Sequence, residues 1–184
     1  DIDRSNRNSG FDISDYVGKL RWQGDRQSVT AKLQYSEETS NSSYLGLTDA
    51  DFSQDPNRRY GLSSIDQMNN THSGTSLTHQ FEWSDNVSST STLYRNNFKR
   101  NWFKLSGGGD IIDAANAGDA NAQGILDGTV DASGLDYKNN AREYVSQGVQ
   151  TNFDVNIGNH EFDFGARVHE DEMDRFQPVD VYDQ

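Results

Sequence analysis

The sequence is dominated by an alternation of period two. From Val29 to Tyr35, the residues Val29, Ala31, Leu33 and Tyr35 are apolar or aromatic, while Thr30, Lys32 and Gln34 between them are polar. Successive side chains of a strand point to opposite faces, so this rhythm predicts a strand with one apolar and one wetted face. Tyr16, Gly18, Leu20 and Trp22 alternate in the same way with Val17, Lys19, Arg21 and Gln23. So do Val149, Thr151, Phe153 and Val155 with Gln150, Asn152, Asp154 and Asn156, and Phe162, Phe164, Ala166 and Val168 with Asp163, Gly165, Arg167 and His169. Leu77 to Trp83 keeps a weaker rhythm because His79 falls on the apolar parity, and the Ser/Thr-rich run Val87 to Phe98 leaves its parity open.

The runs are paired around short turns. Gly24-Asp25, Asp85-Asn86 and Gly158-Asn159 each separate two strand-like runs, and such dipeptides suit the positive φ values of tight hairpin loops. Trp22, Trp83, Phe153 and Phe162 lie close to these turns on the apolar parity, where an interfacial aromatic girdle would place them. The other connections, about Glu38 to Gln67 and about Ser106 to Asn139, are long and polar. Short turns at one end, long loops at the other and alternating strands of about ten residues are the signature of an outer-membrane β-barrel. The fold class expected is therefore all-β: an antiparallel up-and-down meander of about six strands, part of a transmembrane β-barrel. A soluble β-sandwich uses the same alternation with shorter loops and stands as the alternative.

Small helices are expected inside the long loops. Thr48-Asp49-Ala50-Asp51 resembles a capping box, with Pro56 ending what starts there, and Ser63 to Asp66 repeats the spacing. Asp113 to Gln123 is Ala-rich and suited to a turn or two of helix, entered through Gly107-Gly108-Gly109.

Composition sharpens this picture. The 184 residues are only 32% hydrophobic, carry a net charge of -13 and contain no Cys, which leaves little for a large water-soluble core and excludes disulfides and thiolate metal sites. Yet 11% aromatic residues and only 2 Pro are unlike a disordered chain. A pI near 4.5 argues against nucleic acid as a partner. No apolar run reaches the ~18 residues of a membrane-spanning helix. The opening at Asp1, with neither Met nor a signal region, suggests a mature product or an internal fragment.

Four stretches carry a family resemblance. Tyr44-Leu45-Gly46-Leu47-Thr48-Asp49-Ala50-Asp51-Phe52, followed by Asp55-Pro56-Asn57-Arg58-Arg59-Tyr60, resembles TonB-dependent outer-membrane receptors, particularly those of the ferric dicitrate type. Phe98-Lys99-Arg100-Asn101-Trp102-Phe103-Lys104-Leu105 is similar to a strand end of that family, with Phe103 where Tyr is usual. Asn140-Ala141-Arg142-Glu143-Tyr144-Val145-Ser146-Gln147-Gly148 is similar to one of its strand starts, and Val168-His169-Glu170-Asp171-Glu172-Met173-Asp174-Arg175-Phe176 to its His-Glu-Asp-Glu segment. The resemblance runs from about Asp15 to Phe176. It implies that residues 1–184 are a partial barrel domain without the plug domain, cut from a larger barrel. The parent would be an active transporter for a ferric chelate, ferric citrate or a siderophore, in the outer membrane of a Gram-negative bacterium. It would be bounded by outer-membrane lipid and energised by the TonB complex through the missing plug region. No cofactor is implied, the chelate being cargo, and no enzyme activity. A passive porin segment, a soluble adhesin or binding module and a barrel enzyme are the competing readings.

Such a receptor needs cations near its mouth, because an anionic chelate is held by charge-assisted contacts that Arg makes bidentately. The candidate substrate contacts are Arg58 and Arg59 in the first long loop, Lys99, Arg100 and Lys104 along one strand end beside Arg95, and Arg142. Solvated charges paired with nearby acids or lipid phosphates are the plainer account. His169-Glu170-Asp171-Glu172 gathers metal-capable side chains, but on a strand only His169 with Asp171, or Glu170 with Glu172, share a face, so an acidic strand end is preferred. Asp119 to Gly124 begins like a calcium loop, yet Val130 stands where the bidentate Glu is required, and an EF-hand is rejected. None of the four His residues forms a nucleophile constellation, and there is no Gly-x-Ser-x-Gly elbow.

Overall fold

A computed structural model describes residues 9–183. Six long strands, β1 (Phe11–Gln23), β2 (Gln27–Ser40), β3 (Gln67–Ser84), β4 (Val87–Leu105), β5 (Leu135–Ile157) and β6 (His160–Phe176), pair each with the next in antiparallel order. A short β7 (Val179–Tyr182) continues along β5 where β6 leaves it. The interruption is Gln177-Pro178, as expected of a residue that cannot donate to a ladder. The result is one open meander. Among the described residues β1 pairs only with β2, and β6 only with β5.

All three anticipated hairpin turns are present, linking β1 to β2, β3 to β4 and β5 to β6. Gly158 adopts φ 62, as a tight turn requires. Gly24 stays outside the left-handed region, and its turn closes by the Gly24 N–H donating to the Gln27 carbonyl at 2.8 Å. The strands themselves are longer than the ten residues expected, from 13 in β1 to 23 in β5. A tilted strand crosses hydrocarbon in about 9–11 residues. The surplus lies toward the long loops, where both parities turn polar and the alternation that marks a strand in sequence fades.

Register explains the two faces. Leu20, Ala31, Leu77, Leu93, Val149 and Val168 are successive cross-strand partners and form one apolar row across all six strands. Leu93 thereby settles the parity of β4: its odd positions share the apolar face. Leu20 and Val168 are 76% and 73% exposed, so this face has no protein partner among the described residues. Toward the turns the same face carries Trp22, Phe81, Trp83, Phe153, Phe162 and Phe164, with the Trp83 indole donating to Ser89 Oγ at 2.9 Å and Phe153 stacked on Phe164.

Among the described residues the buried apolar cluster lies in the two long loops. Tyr60, Leu62 and Leu126 meet Leu105, Leu135 and Tyr137 from the strand ends. The first loop holds α1 (Asp49–Gln54), capped as expected by Thr48, whose hydroxyl accepts the Asp51 N–H at 3.3 Å. Ser63 does not cap a helix. It ends a 3-10 turn, Gly61–Ser63, and Asp66 instead turns inward, accepting the Leu105 N–H at 2.9 Å and the Ser43 hydroxyl at 3.0 Å. The second loop contains two helices, α2 (Gly109–Asn116) and α3 (Ala120–Asp127). Asp119, the first residue of the rejected calcium loop, is the N-cap of α3, accepting from Asn121 and Ala122.

Two outcomes follow from this distribution of apolar surface. The chain should require detergent to stay dispersed, since exposed apolar rows and two open strand edges have no partner in water; a sharp monomeric sedimentation boundary in plain buffer is the contrary result. Leu126→Ala, at a position with 0% exposure, should cost about 2–5 kcal/mol of loop-cluster stability. Hydrogen exchange should then accelerate in both loops and leave the hairpin-end strands unchanged.

Candidate ligand-binding site

The face opposite the apolar rows is polar, and its charge is uneven. It carries Lys19, Arg21, Lys32, Arg100, Lys104, Lys138, Arg142, Arg167 and Arg175, with Asp15, Glu38 and Asp171 among them, Asp136 at the loop end, and Glu82, Asp154, Glu161 and Asp163 gathered at the hairpin end. In a chain of net charge -13 the middle of this face is thus cationic, while its hairpin end is acidic.

The densest part is a row of three arginines. Arg100 on β4 is the cross-strand partner of Arg142 on β5, which is the partner of Arg175 on β6. Neighbouring strands lie about 4.8 Å apart, and like charges placed directly opposite destabilise a sheet. Little in the chain offsets this. The Arg142 Nε donates to Asn140 Oδ1 at 3.2 Å and its Nη1 to the Tyr144 hydroxyl at 3.3 Å, both neutral acceptors. The Arg100 Nε is buried with no hydrogen-bond partner among the described residues. Asn70, next along the row, donates to Glu38 at 3.0 Å while its own Oδ1 has no hydrogen-bond partner among the described residues.

The remaining candidates are placed differently. Lys99 lies on the opposite face from Arg100, in an ion pair of 2.9 Å with its cross-strand partner Glu143, and Arg95 on that same face donates to Gln147 at 3.0 Å. Lys104 shares the polar parity, but its ammonium sits 3.3 Å over the Tyr44 ring and 4.3 Å from the Trp102 ring. With the Trp102 indole donating to the Ser42 carbonyl at 2.9 Å, these contacts fasten the first loop to β4.

Arg58 and Arg59 are engaged inside the loops. Arg58 reaches Asp51 at 2.7 Å and also Asp127 on α3, so it ties the two loops together. Arg59, 9% exposed, donates to the carbonyls of Asn41, Ser63 and Asp66. Burial would raise the Asp51 carboxyl, but the Tyr60, Gln123 and Thr48 donors and the Arg58 guanidinium outweigh it and hold it below its ordinary value. Burial dominates at Asp66, pushing its carboxyl up despite the Leu105 N–H, the Ser43 hydroxyl and Arg59. No group of three His, Asp or Glu side chains suited to a metal ion occurs among the described residues; His169 and Asp171 do share a face, 2.9 Å apart.

The arginine missed in the sequence is Arg175. It stands inside the acidic-looking stretch Val168 to Phe176, and only the β5–β6 register brings it opposite Arg142. Counting back from the Gly158-Asn159 turn would have found it, had the length of β5 been known.

No family model and no curated protein matches the chain. Solved structures do. The ferric citrate transporter FecA in its unliganded form superposes with a TM-score of 0.68 at 16% identity, covering 97% of this chain and 23% of that one. BauA, the ferric preacinetobactin receptor from Acinetobacter baumannii, gives 0.58 at 9% identity, covering 95% of this chain and 26% of that one. The chain therefore shares the fold of a part of each of these two proteins. It spans about a quarter of the length of each of these proteins.

The loop cluster should depend on pH through Asp51. An acid whose folded value is depressed contributes stability above its unfolded value and loses it as pH falls through the folded value. Asp66, raised, acts in the opposite sense, favouring the folded loops as it takes up its proton. Hydrogen-exchange protection of α1 and α3 should therefore fall on acidification below about pH 4, and Asp51→Asn should remove that loss. An unchanged acid profile in the variant would count against the assignment.

Proposed function

We propose that this chain forms wall and external loops of an outer-membrane receptor that takes up a ferric chelate, and that the chelate is an anion rich in carboxylates, of the ferric citrate type. The observation that carries the reading is the row Arg100, Arg142 and Arg175 on the polar face, beneath the loop cluster. Three guanidinium groups at one-strand spacing, with neutral or no partners, suit an anion whose carboxylates accept bidentate hydrogen bonds from several of them. The cost of opposing like charges falls when such an anion is seated, so the row is a ligand site in waiting.

In this reading the apolar face meets outer-membrane lipid, with its aromatic residues at the interface near the turns. The polar face lines the lumen, where the excess of cations draws an anion inward. Arg100, Arg142 and Arg175 contact the ligand. Arg58, Arg59 and Lys104 hold the external loops in place above them, and Lys99 faces outward. Uptake would be driven by a TonB complex acting on a plug region, with this segment as fixed wall.

The test is ligand binding to the chain refolded in detergent, with ferric citrate compared against a neutral ferric hydroxamate. A charge-assisted hydrogen bond contributes about 1.5–3 kcal/mol, so Arg142→Met should weaken ferric citrate by roughly 10- to 100-fold. Arg175→Met should do the same within a few-fold. Equal affinity of wild type and both variants, or preference for the neutral chelate, would overturn the proposal.

A further inference from the structure

Deeper on the polar face, between the arginine row and the turns, four side chains form a directional hydrogen-bond chain that the reading above does not use. Arg167 Nε donates to the Tyr94 hydroxyl oxygen at 3.0 Å, Tyr94 Oη lies 2.6 Å from His169 Nδ1, and His169 Nε2 lies 2.9 Å from Asp171 Oδ2. Tyr94 belongs to β4 and the other three to β6, so the chain crosses over β5. It can do so because the intervening position is Gly148: a Cβ there would fall 2.7 Å from the Tyr94 hydroxyl. The Tyr94 and His169 rings stack at 5.8 Å, and the Arg167 guanidinium lies 5.6 Å from the Tyr94 ring centre.

Proton positions follow from the partners. Asp171 is an acceptor, so Nε2 carries hydrogen and donates to it. In neutral His169 the Nδ1 is then an acceptor and takes the Tyr94 proton, while Arg167 donates to the Tyr94 oxygen. Every group is satisfied, and Tyr94 has no proton to offer elsewhere. When His169 gains a proton, Nδ1–H becomes the donor. Tyr94 oxygen then accepts from both Nδ1 and Arg167, filling its two lone pairs, and its own O–H must turn toward the open face. The same step adds a positive charge beside Arg167. Groups facing His169 from β4 are Tyr94, Asn96 and Thr92, and from β5 Ser146, Gly148 and Gln150. Of these only Tyr94 is ionisable, so the switch is set by His169 with Asp171 and Arg167.

We propose that Tyr94, His169, Asp171 and Arg167 form a proton-switched carboxylate station on the lumen wall: with His169 neutral it offers only Arg167, and with His169 protonated it offers Arg167, an outward-turned Tyr94 hydroxyl and an added charge. It rests on the reading of this face as an anion path, and it adds regulation by pH at a second level below the arginine row. The carboxylate could belong to the travelling chelate or to an acidic side chain of a segment that fills the barrel.

The test uses the whole chain refolded in detergent micelles, with ring-labelled histidine and tyrosine followed by NMR from about pH 8 to about pH 5.5, the range in which histidine changes charge. Titrating His169 should move the Tyr94 signals with the same midpoint. Citrate, as the free carboxylate probe, should bind about five-fold or more tightly at the acid end, perturbing Tyr94 and Arg167. His169→Gln should reduce the pH dependence to that of citrate's own third carboxyl, which alone weakens binding toward acid, and Tyr94→Phe should remove the acid-side gain while Arg142 still responds to citrate. Should either variant fail to fold, Asp171→Asn must shift the midpoint of the coupled transition. An acidic peptide added in place of citrate distinguishes the two sources by which probe reaches Tyr94. Absence of citrate binding at every pH would sink the anion path, whereas a Tyr94 signal independent of His169 titration would overturn the switch itself.

Discussion

The structure depends on an uninterrupted antiparallel register carried through six strands. Backbone pairing makes Leu20, Ala31, Leu77, Leu93, Val149 and Val168 into a row, although no two of them are near in sequence and only their parity marks them as alike. The same pairing makes a row of Arg100, Arg142 and Arg175 on the other side. A slip of one residue at any pair would exchange the faces, putting arginine among leucines. That penalty is what fixes the register, since the sheet has no packed core of its own. The bulge between Glu82 and Ser84 falls at a turn, where an irregularity ends rather than displaces the pairing.

The features legible in the sequence were those written locally. A hairpin turn occupies two or three residues, a strand face is declared by alternation over six to eight, and Thr48 announces its cap within three positions. Gly24-Asp25, Asp85-Asn86 and Gly158-Asn159 were all found for this reason. What was hidden is what register alone reveals. Lys99 and Arg100 look like one basic cluster along the chain, yet the pleat sends them to opposite faces, one to Glu143 and the other to the arginine row. Arg175 was overlooked among Glu170, Asp171, Glu172 and Asp174 because sequence neighbours dilute a charge that the fold isolates. Arg58 and Arg59 read in sequence as candidate ligand contacts of the first long loop; what the sequence does not show is that a polar loop folding on itself needs donors for its carbonyls and carboxylates, and that these two supply them.

Net charge was similarly uninformative about the site. A total of -13 argues for an acidic protein that repels anions, and the average is correct for the surface as a whole. Acids such as Asp49, Asp110, Asp113 and Asp131 reside in the loops, and Glu143, Glu170, Glu172 and Asp174 lie on the side away from the arginines. Segregation of this kind leaves a local field that the composition conceals. In the proposed reading, an anion on the polar side would meet those arginines at short range, whereas the acids of the other side would act on it through solvent and salt, screened beyond about 10 Å.

The loop cluster then answers a question that the arginine row raises: what keeps three repelling side chains in place when no ligand is bound. A sheet alone would let long arginine side chains swing apart into water at little cost. Here the strand ends above the row are fastened by Leu105, Leu135 and Tyr137 packing with Tyr60, Leu62 and Leu126, and by Lys104 between Tyr44 and Trp102. Arg58 joins the two loops through Asp51 and Asp127. The mouth is accordingly a braced rim rather than a pair of independent flaps. In the proposed reading, such bracing holds the strands that carry the three arginines in one register, so that less backbone freedom is lost when an anion arrives.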